Sequence, residues 1–111
     1  MKLIIKGKII IESESGVRIN SRVIDLLRTV RYTGSLNTAA KTLEISYSHA
    51  WYTVFKINCL FNSPLIIATR GGRGGGQAVL TEKGNRLIEQ YDEIKINLNA
   101  YLQKLDMVFV E

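Results

Sequence analysis

The feature that most constrains the fold is residues 34–61, whose pattern predicts two helices joined by a tight turn. In the first helix, small and apolar residues recur at i, i+3, i+4 and i+7, which indicates one buried face. The Glu44-Ile45 turn precedes Ser46, a residue type that commonly caps the start of a helix. The two apolar stripes are Leu36, Ala39, Ala40 and Leu43, and then Ala50, Val54, Ile57 and Phe61. Together they predict a helix-turn-helix whose second helix is presented to a DNA major groove.

The outward face of the second helix distinguishes a DNA-reading element from a hairpin that only fills a core. A core-filling pair is the commoner use of such helices, but its solvated face would normally include Glu and Asp. Here the outward residues can all form hydrogen bonds and none is acidic: Tyr47, Ser48, His49, Tyr52, Thr53 and Lys56. We expect the first five to lie near base edges and Lys56 to reach phosphate. Ser35, Asn37 and Thr38 open the preceding helix and are expected to hold a backbone phosphate.

Charge is distributed unevenly along the chain, which has a net charge of +5. Residues 1–80 carry eleven Lys and Arg against four Asp and Glu, whereas residues 81–111 carry four against six. Between Leu26 and Thr81 the only acidic residue is Glu44. A basic body with a mildly acidic end is typical of a protein that binds a polyanion on one face and a protein on another.

Composition argues against several other classes of function. A single cysteine, Cys59, cannot form an internal disulfide, and with one histidine it does not make a metal site. No nucleophile is paired with a base and no two carboxylates face one another, so we expect no enzyme activity and no cofactor. The sequence contains no signal-peptide or transmembrane apolar run, so we expect a cytoplasmic, nucleoid-associated protein without membrane contact.

The segments on either side of the helix pair complete a winged-helix domain over residues 1–80. The predicted elements are a β hairpin at 2–19, helices at about 21–33, 36–43 and 47–61, and a wing at 65–80. Asn20 or Ser21 is expected to cap the first of these helices. The wing has a glycine-rich tip, and its Arg70 and Arg73 are expected to contact the DNA backbone or the minor groove. The tip lacks the Gly-Lys-Ser/Thr ending of a phosphate loop, which disfavours nucleotide binding.

A long helix is predicted over residues 81–110, and its apolar residues repeat at alternating spacings of four and three. They form a heptad seam: Leu87, Tyr91, Ile94, Leu98, Tyr101, Leu105 and Val108. This stripe is longer than residues 1–80 can cover, so we expect the helix to pair with its twin in a homodimer. The alternative, a helix packed back along its own domain, accounts for the first half of the seam.

Several short motifs are distributed along the chain: Gly-Ser-Leu at 34–36, Ala-Ala-Lys at 39–41, Ser-Tyr at 46–47, Ala-Trp at 50–51, Pro-Leu at 64–65, Gly-Gly-Arg-Gly-Gly-Gly at 71–76 and Leu-Thr-Glu-Lys-Gly at 80–84. Together they resemble the N-terminal DNA-binding domain of ModE-type (molybdate-responsive) transcriptional regulators, which is related to the winged helix of LysR-type regulators. The resemblance covers nearly the whole chain and implies DNA binding and dimerisation through the final helix. The full-length regulators continue into molybdate-binding domains, whereas this sequence stops at Glu111, so the resemblance implies no oxyanion sensor.

These features predict an α+β fold, mainly α with small β hairpins: a winged helix-turn-helix followed by a long C-terminal dimerisation helix. The expected function is that of a dimeric, sequence-specific DNA-binding transcriptional regulator, with double-stranded DNA and a second copy as partners. Two alternatives stay open: a small architectural or chromatin-type DNA-binding protein with weak sequence preference, and a protein-interaction module that has lost DNA binding. The sequence also leaves two roles for Trp51, packing in the core and contact with DNA.

Overall fold

Helices dominate the structure, a computed structural model that describes residues 3–69 and 76–105. Over these residues the elements are β1 Ile11–Glu12, β2 Arg18–Ile19, α1 Ser21–Thr33, α2 Leu36–Thr42, α3 Tyr47–Asn58, β3 Ile66–Ala68, β4 Ala78–Leu80 and α4 Glu82–Leu105. The strands pair as two separate antiparallel hairpins, β1 with β2 and β3 with β4. This architecture confirms the predicted fold class, an α+β winged helix-turn-helix with a long final helix.

Side-chain caps fix where the first three helices begin. The side chain of Asn20 accepts a hydrogen bond from the backbone N–H of Val23 at 3.1 Å, which starts α1. Ser35 accepts from Thr38 at 3.1 Å at the start of α2. Each cap satisfies one of the amide groups that a helix leaves without a partner in its first turn. The caps therefore set the helix starts locally.

The ends of α1 and α2 are set by backbone conformation. Gly34 has a φ of 71° and its N–H donates to the carbonyl of Val30 at 2.8 Å, which closes α1. The turn between α2 and α3 contains Glu44 with a φ of 58°, a left-handed conformation that is uncommon for a residue with a side chain. Ser46 then accepts from the N–H of His49 at 3.0 Å and starts α3. These contacts build the helix-turn-helix.

One hydrophobic core lies between the three short helices, the β3–β4 hairpin and the first half of α4. Its buried members are Ile19, Ile24, Leu26, Leu27, Val30, Leu36, Ala39, Ala40, Ala50, Val54, Ile57, Leu65, Ile66, Ala78, Leu80, Leu87, Ile88 and Tyr91. The small residues of α2 and α3 in this set let those helices approach closely. The core thus holds α3 by its apolar stripe and leaves the opposite face in solvent.

Two predicted elements are shorter than expected. The third helix ends at Asn58 rather than at residue 61, because the N–H of Leu60 turns back to the carbonyl of Ile57 at 3.0 Å. Among the described residues 3–19 of the predicted N-terminal hairpin (2–19), strands occur only at Ile11–Glu12 and Arg18–Ile19, since the chain enters α1 directly after β2.

Helix α4 changes character along its length, which corrects the seam prediction. Leu87 and Tyr91 are buried in the core of their own domain, because they lie in the part of α4 that packs against it. Farther along, Ile94 is 44% and Tyr101 54% exposed. The exposed part of the predicted seam therefore begins near Ile94; Val108 lies outside the described residues. Despite its length, α4 is too polar to cross a membrane, and no other described helix is long and apolar enough.

Candidate nucleic-acid interface

The solvent-facing side of α3 carries polar, aromatic and basic groups. Ser48, His49, Tyr52 and Lys56 are all exposed, and α3 contains no Asp or Glu. The ammonium of Lys56 lies 4.6 Å from the centroid of the Tyr52 ring, an arrangement in which the ring attracts the cation. The structure thus gathers four of the predicted contact residues on one face of one helix.

Thr53 and Tyr47 are less accessible than the other predicted contact residues. Thr53 is half-buried and its hydroxyl donates to the carbonyl of His49 at 2.9 Å, so that oxygen is left as an acceptor. Tyr47 is half-buried and packs against the core. Its ring meets that of Trp51 edge to face, with centroids 6.0 Å apart. Trp51 itself is partly buried against the core, so its ring helps to seat α3.

The predicted phosphate contacts at the start of α2 are not equally accessible. Thr38 is exposed, whereas Ser35 and Asn37 are half-buried. The Ser35 hydroxyl oxygen is already used as the cap of α2, so only its O–H remains to donate to a phosphate. Their contact with DNA stays a prediction.

The wing is anchored at its base. Strands β3 and β4 pair in the register Ile66↔Leu80, Ile67↔Val79 and Ala68↔Ala78. Beyond them the N–H of Thr69 donates to the carbonyl of Gln77 at 2.9 Å. The N–H of Ala78 also donates to the carbonyl of Gly34 at 3.0 Å, which ties the wing to the end of α1. Arg70 and Arg73 belong to the tip and lie outside the described residues.

Asn58, the last residue of α3, joins the candidate recognition helix to the wing. Its side-chain oxygen accepts from the N–H groups of Leu65 at 2.9 Å and Ile66 at 3.2 Å. Its amide nitrogen donates to the carbonyl of Ile66 at 2.9 Å. One side chain thus fixes where β3 starts relative to α3. The sequence analysis did not predict this role for Asn58. The signal in the sequence is weak, an amide residue that precedes the single proline, Pro64.

Replacing Asn58 with alanine should lower the free energy of unfolding by about 1–3 kcal/mol, because backbone groups of Leu65 and Ile66 lose their partners. Urea denaturation followed by circular dichroism measures this change. Asn62→Ala is the control, since Asn62 is exposed and none of the described hydrogen bonds involves it. Equal effects of the two substitutions would mean that Asn58 does not hold the wing.

Two arginines that contribute to the basic charge of residues 1–80 bind α4. Arg28 forms an ion pair with Asp92, and Arg31 donates to the side-chain oxygen of Asn85 at 3.2 Å. The hydrogen bond to Asp92 raises the pKa of the Arg28 guanidinium above its ordinary value, although burial opposes the shift. Because this pKa is raised, the guanidinium's contribution to stability is present below it and is lost as the pH rises through it in strongly alkaline solution. The pair therefore links α1 to α4 across the surface of the domain.

Phe55 is a surface residue that the sequence interpretation overlooked. It is 67% exposed although it is large and apolar. It follows Ser48 and Tyr52 at spacings of four and three, so it continues their stripe on α3. The signal was present in the sequence, because position 55 falls outside the stripe formed by the buried Ala50, Val54 and Ile57.

Comparison with known proteins supports the family resemblance. No family model matches the chain. The molybdenum transport protein ModE of Azotobacter vinelandii is 33% identical over 95 residues, which is 86% of this chain and 35% of that protein. The DNA-binding transcriptional dual regulator ModE of Escherichia coli (strain K12) is 44% identical over 71 residues, 64% of this chain and 27% of that protein. The molybdenum-pterin-binding protein MopB of Rhodobacter capsulatus is 33% identical over 97 residues, 87% of this chain and 36% of that protein.

The chain spans about a third of the length of these relatives, as the shares of 35%, 27% and 36% show. The matches cover most of this chain, between 64% and 87% of it. The fold and the sequence similarity agree with the motifs noted above. The chain resembles the N-terminal DNA-binding domain of ModE-type transcriptional regulators.

Proposed function

We propose that this chain is a dimeric, sequence-specific DNA-binding transcriptional regulator that inserts α3 into the major groove. The observation that carries the proposal is the exposed face of α3, which is polar and basic and lacks carboxylates. An acid-free helix face suits a polyanionic partner, and base edges in the major groove are read by such hydrogen-bonding side chains. A DNA target entails a cytoplasmic, nucleoid-associated location.

Residues near the start and middle of α3 are assigned to base edges. Ser48, His49, Tyr52 and Thr53 supply donors and acceptors, with Tyr47 at the first position of the helix. Phe55 adds an apolar surface of the kind that contacts a thymine methyl group. Lys56 contacts phosphate; Ser35, Asn37 and Thr38 hold the neighbouring phosphate at the start of α2.

Thr53→Ala should lower the ratio of specific to random-duplex affinity by about tenfold while leaving random-duplex affinity unchanged, because it removes one base contact and no charge. Fluorescence anisotropy with the two duplexes measures the ratio. Thr29→Ala on α1 is the matched control, since the Thr29 hydroxyl makes the same kind of bond, to the carbonyl of Asp25 at 2.7 Å. A ratio that stays at the wild-type value in the Thr53 variant would place this residue outside the base contacts.

The wing is assigned to the DNA backbone or the minor groove through Arg70 and Arg73. Arg73→Ala should weaken binding to most sequences alike and reduce the slope of log affinity against log salt by about one. Titrations at several salt concentrations give the slope, with Arg18→Ala as a control because Arg18 pairs with Glu12 at 2.9 Å in the N-terminal hairpin. An unchanged slope would remove the wing tip from the interface.

The dimer is assigned to the outer half of α4, from Ile94 through Leu98, Tyr101 and Leu105, where apolar groups remain in solvent or only half-buried. A two-fold dimer presents two α3 helices to two half-sites about one helical turn, or a multiple of it, apart.

The names of two of the relatives described above refer to molybdenum. We confine the proposal to DNA binding, because α3 and the wing provide residues for that function.

A further inference from the structure

The N-terminal segment, residues 4–10, reads the same in both directions about Gly7: Ile-Ile-Lys-Gly-Lys-Ile-Ile. In a two-fold antiparallel pair of strands, a residue before the centre lies opposite the residue equally far beyond it in the other chain. A pair centred on Gly7 would therefore match isoleucine with isoleucine at every apolar position. The sequence of the segment is thus suited to pairing with itself.

The isoleucines and lysines of the N-terminal segment alternate in exposure with a two-residue period, as in a strand that has one face packed. Ile5 and Ile9 are half-buried, whereas Ile4, Lys6, Lys8 and Ile10 are exposed. Gly7 is itself exposed but lies next to α4, since a Cβ added there would lie 3.1 Å from the Leu102 Cδ1 atom and 3.3 Å from the Leu98 Cδ2 atom. The segment consequently lies along the outer half of α4.

The central residues of the N-terminal segment, 6–9, have no paired strand beside them in the described part of the chain. The β1–β2 pairing stops at Ile11↔Ile19, because Asn20 caps α1 and the chain turns away. Within the part of the chain that the structure describes, no backbone hydrogen bond is made by residues 6–9. Unpaired N–H and C=O groups along an extended segment are a template for strand addition by another chain.

We propose that the N-terminal segments of two copies pair as an antiparallel ribbon centred on Gly7, which extends the dimer interface beyond α4. This inference rests on the dimer of the proposed function and specifies a second part of it. The occupant is a second copy because the palindrome satisfies two-fold symmetry, and because Gly7 packs on Leu98 and Leu102 of the dimer helix. The ribbon and the exposed half of α4 then form one continuous surface.

The register centred on Gly7 is favoured over its neighbours by the side chains that it matches. It places Ile5 opposite the partner's Ile9 on the packed face. In a ribbon centred on Lys6 or Lys8 instead, the same residues would still lie on the packed side, but Gly7 would be opposite an isoleucine of the partner. The register also places Lys6 opposite the partner's Lys8, a like-charge pair that opposes dimerisation. The lysine pair therefore offers a direct test of register.

Disulfide trapping tests the ribbon and its register in full-length protein carrying Cys59→Ser, which removes the exposed native thiol. Directly opposite residues have Cα atoms about 4.5–5.5 Å apart, within disulfide range, whereas diagonal ones are about 7–8 Å apart. A mixture of Lys6→Cys and Lys8→Cys chains should therefore give a covalent heterodimer, and each variant alone should cross-link much less. Ser15→Cys, in the exposed β1–β2 turn, is the control.

Efficient cross-linking of either variant alone would overturn the Gly7 register, and the absence of any cross-link would overturn the ribbon. Sedimentation of the same samples separates the two proposals. If the variants remain dimeric and bind DNA but form no cross-link, the ribbon alone is contradicted. If they are monomeric, both the ribbon and the proposed dimer are contradicted.

Lys6→Glu provides a second measurement without cross-linking. It places a carboxylate opposite the partner's Lys8 twice in each dimer, and it should tighten dimerisation by about tenfold at low salt. Lys41→Glu on α2 changes net charge equally and serves as the control, with no tightening expected. Weaker dimerisation of the Lys6 variant would contradict the register, because a ribbon centred on residue 6 would bring two carboxylates together.

Discussion

Replacing Gly84 with alanine should lower the free energy of unfolding by about 2–3 kcal/mol, although this substitution within a helix ordinarily stabilises a protein. The added Cβ would lie 2.5 Å from the carbonyl oxygen of Leu65 and 3.2 Å from the Leu80 Cδ2 atom. The Leu65 oxygen is fixed in place, since it accepts from the N–H of Thr81 at 2.9 Å. The methyl group therefore separates α4 from the base of the wing.

Urea denaturation of the Gly84→Ala variant tests the close approach of α4 to the wing. Asn97→Ala is the control on the same helix, because Asn97 is exposed and alanine is the better helix former by a few tenths of a kcal/mol. We expect opposite signs for the two substitutions. Stabilisation by both would mean that α4 does not pack this closely against Leu65.

Leu98→Asp should dissociate the dimer and lower affinity for a two-half-site operator by about 10²- to 10⁴-fold, because linked binding of two α3 helices would be lost. A carboxylate at this position would be placed in the apolar surface formed by Leu98 with Ile94, Tyr101 and Gly7. Affinity for a single half-site should change little. Sedimentation gives the oligomeric state and anisotropy gives the two affinities.

Ile96→Asp is the matched control for Leu98→Asp. Ile96 is 68% exposed, and two residues of helix turn it about 200° away from Leu98. Ile94→Asp repeats the test at a position that contributes less to the fold. A dimer that survives both Leu98→Asp and Ile94→Asp would mean that the outer half of α4 is not the interface.

Local sequence rules predicted the elements that local contacts determine. Asn20, Ser35 and Ser46 are cap residues by type and act as caps in the structure, because an N-cap needs only its own first turn. The apolar stripes of the helix-turn-helix also predicted the buried faces of α2 and α3. The exposed face of α3 followed from those stripes by elimination.

Features that depend on distant residues were missed or misjudged. The start of β3 beside α3 depends on the Asn58 side chain, and the division of the α4 seam depends on how far the core extends over Leu87 and Tyr91. Arg28 contributes to the basic charge counted over residues 1–80, although Asp92, far along the chain, binds it. A charge count along the sequence cannot reveal such pairing, because it requires α1 and α4 to be placed side by side.

The most direct test of sequence-specific DNA binding is a selection of genomic fragments on the purified protein, followed by titration of the best fragment and of random duplex at two salt concentrations. We predict an affinity ratio of about a thousand or more and a two-fold symmetric motif. A ratio near one with a steep salt dependence would contradict the proposal in favour of an architectural protein. Absence of binding to either duplex would contradict DNA binding altogether and point to a protein partner.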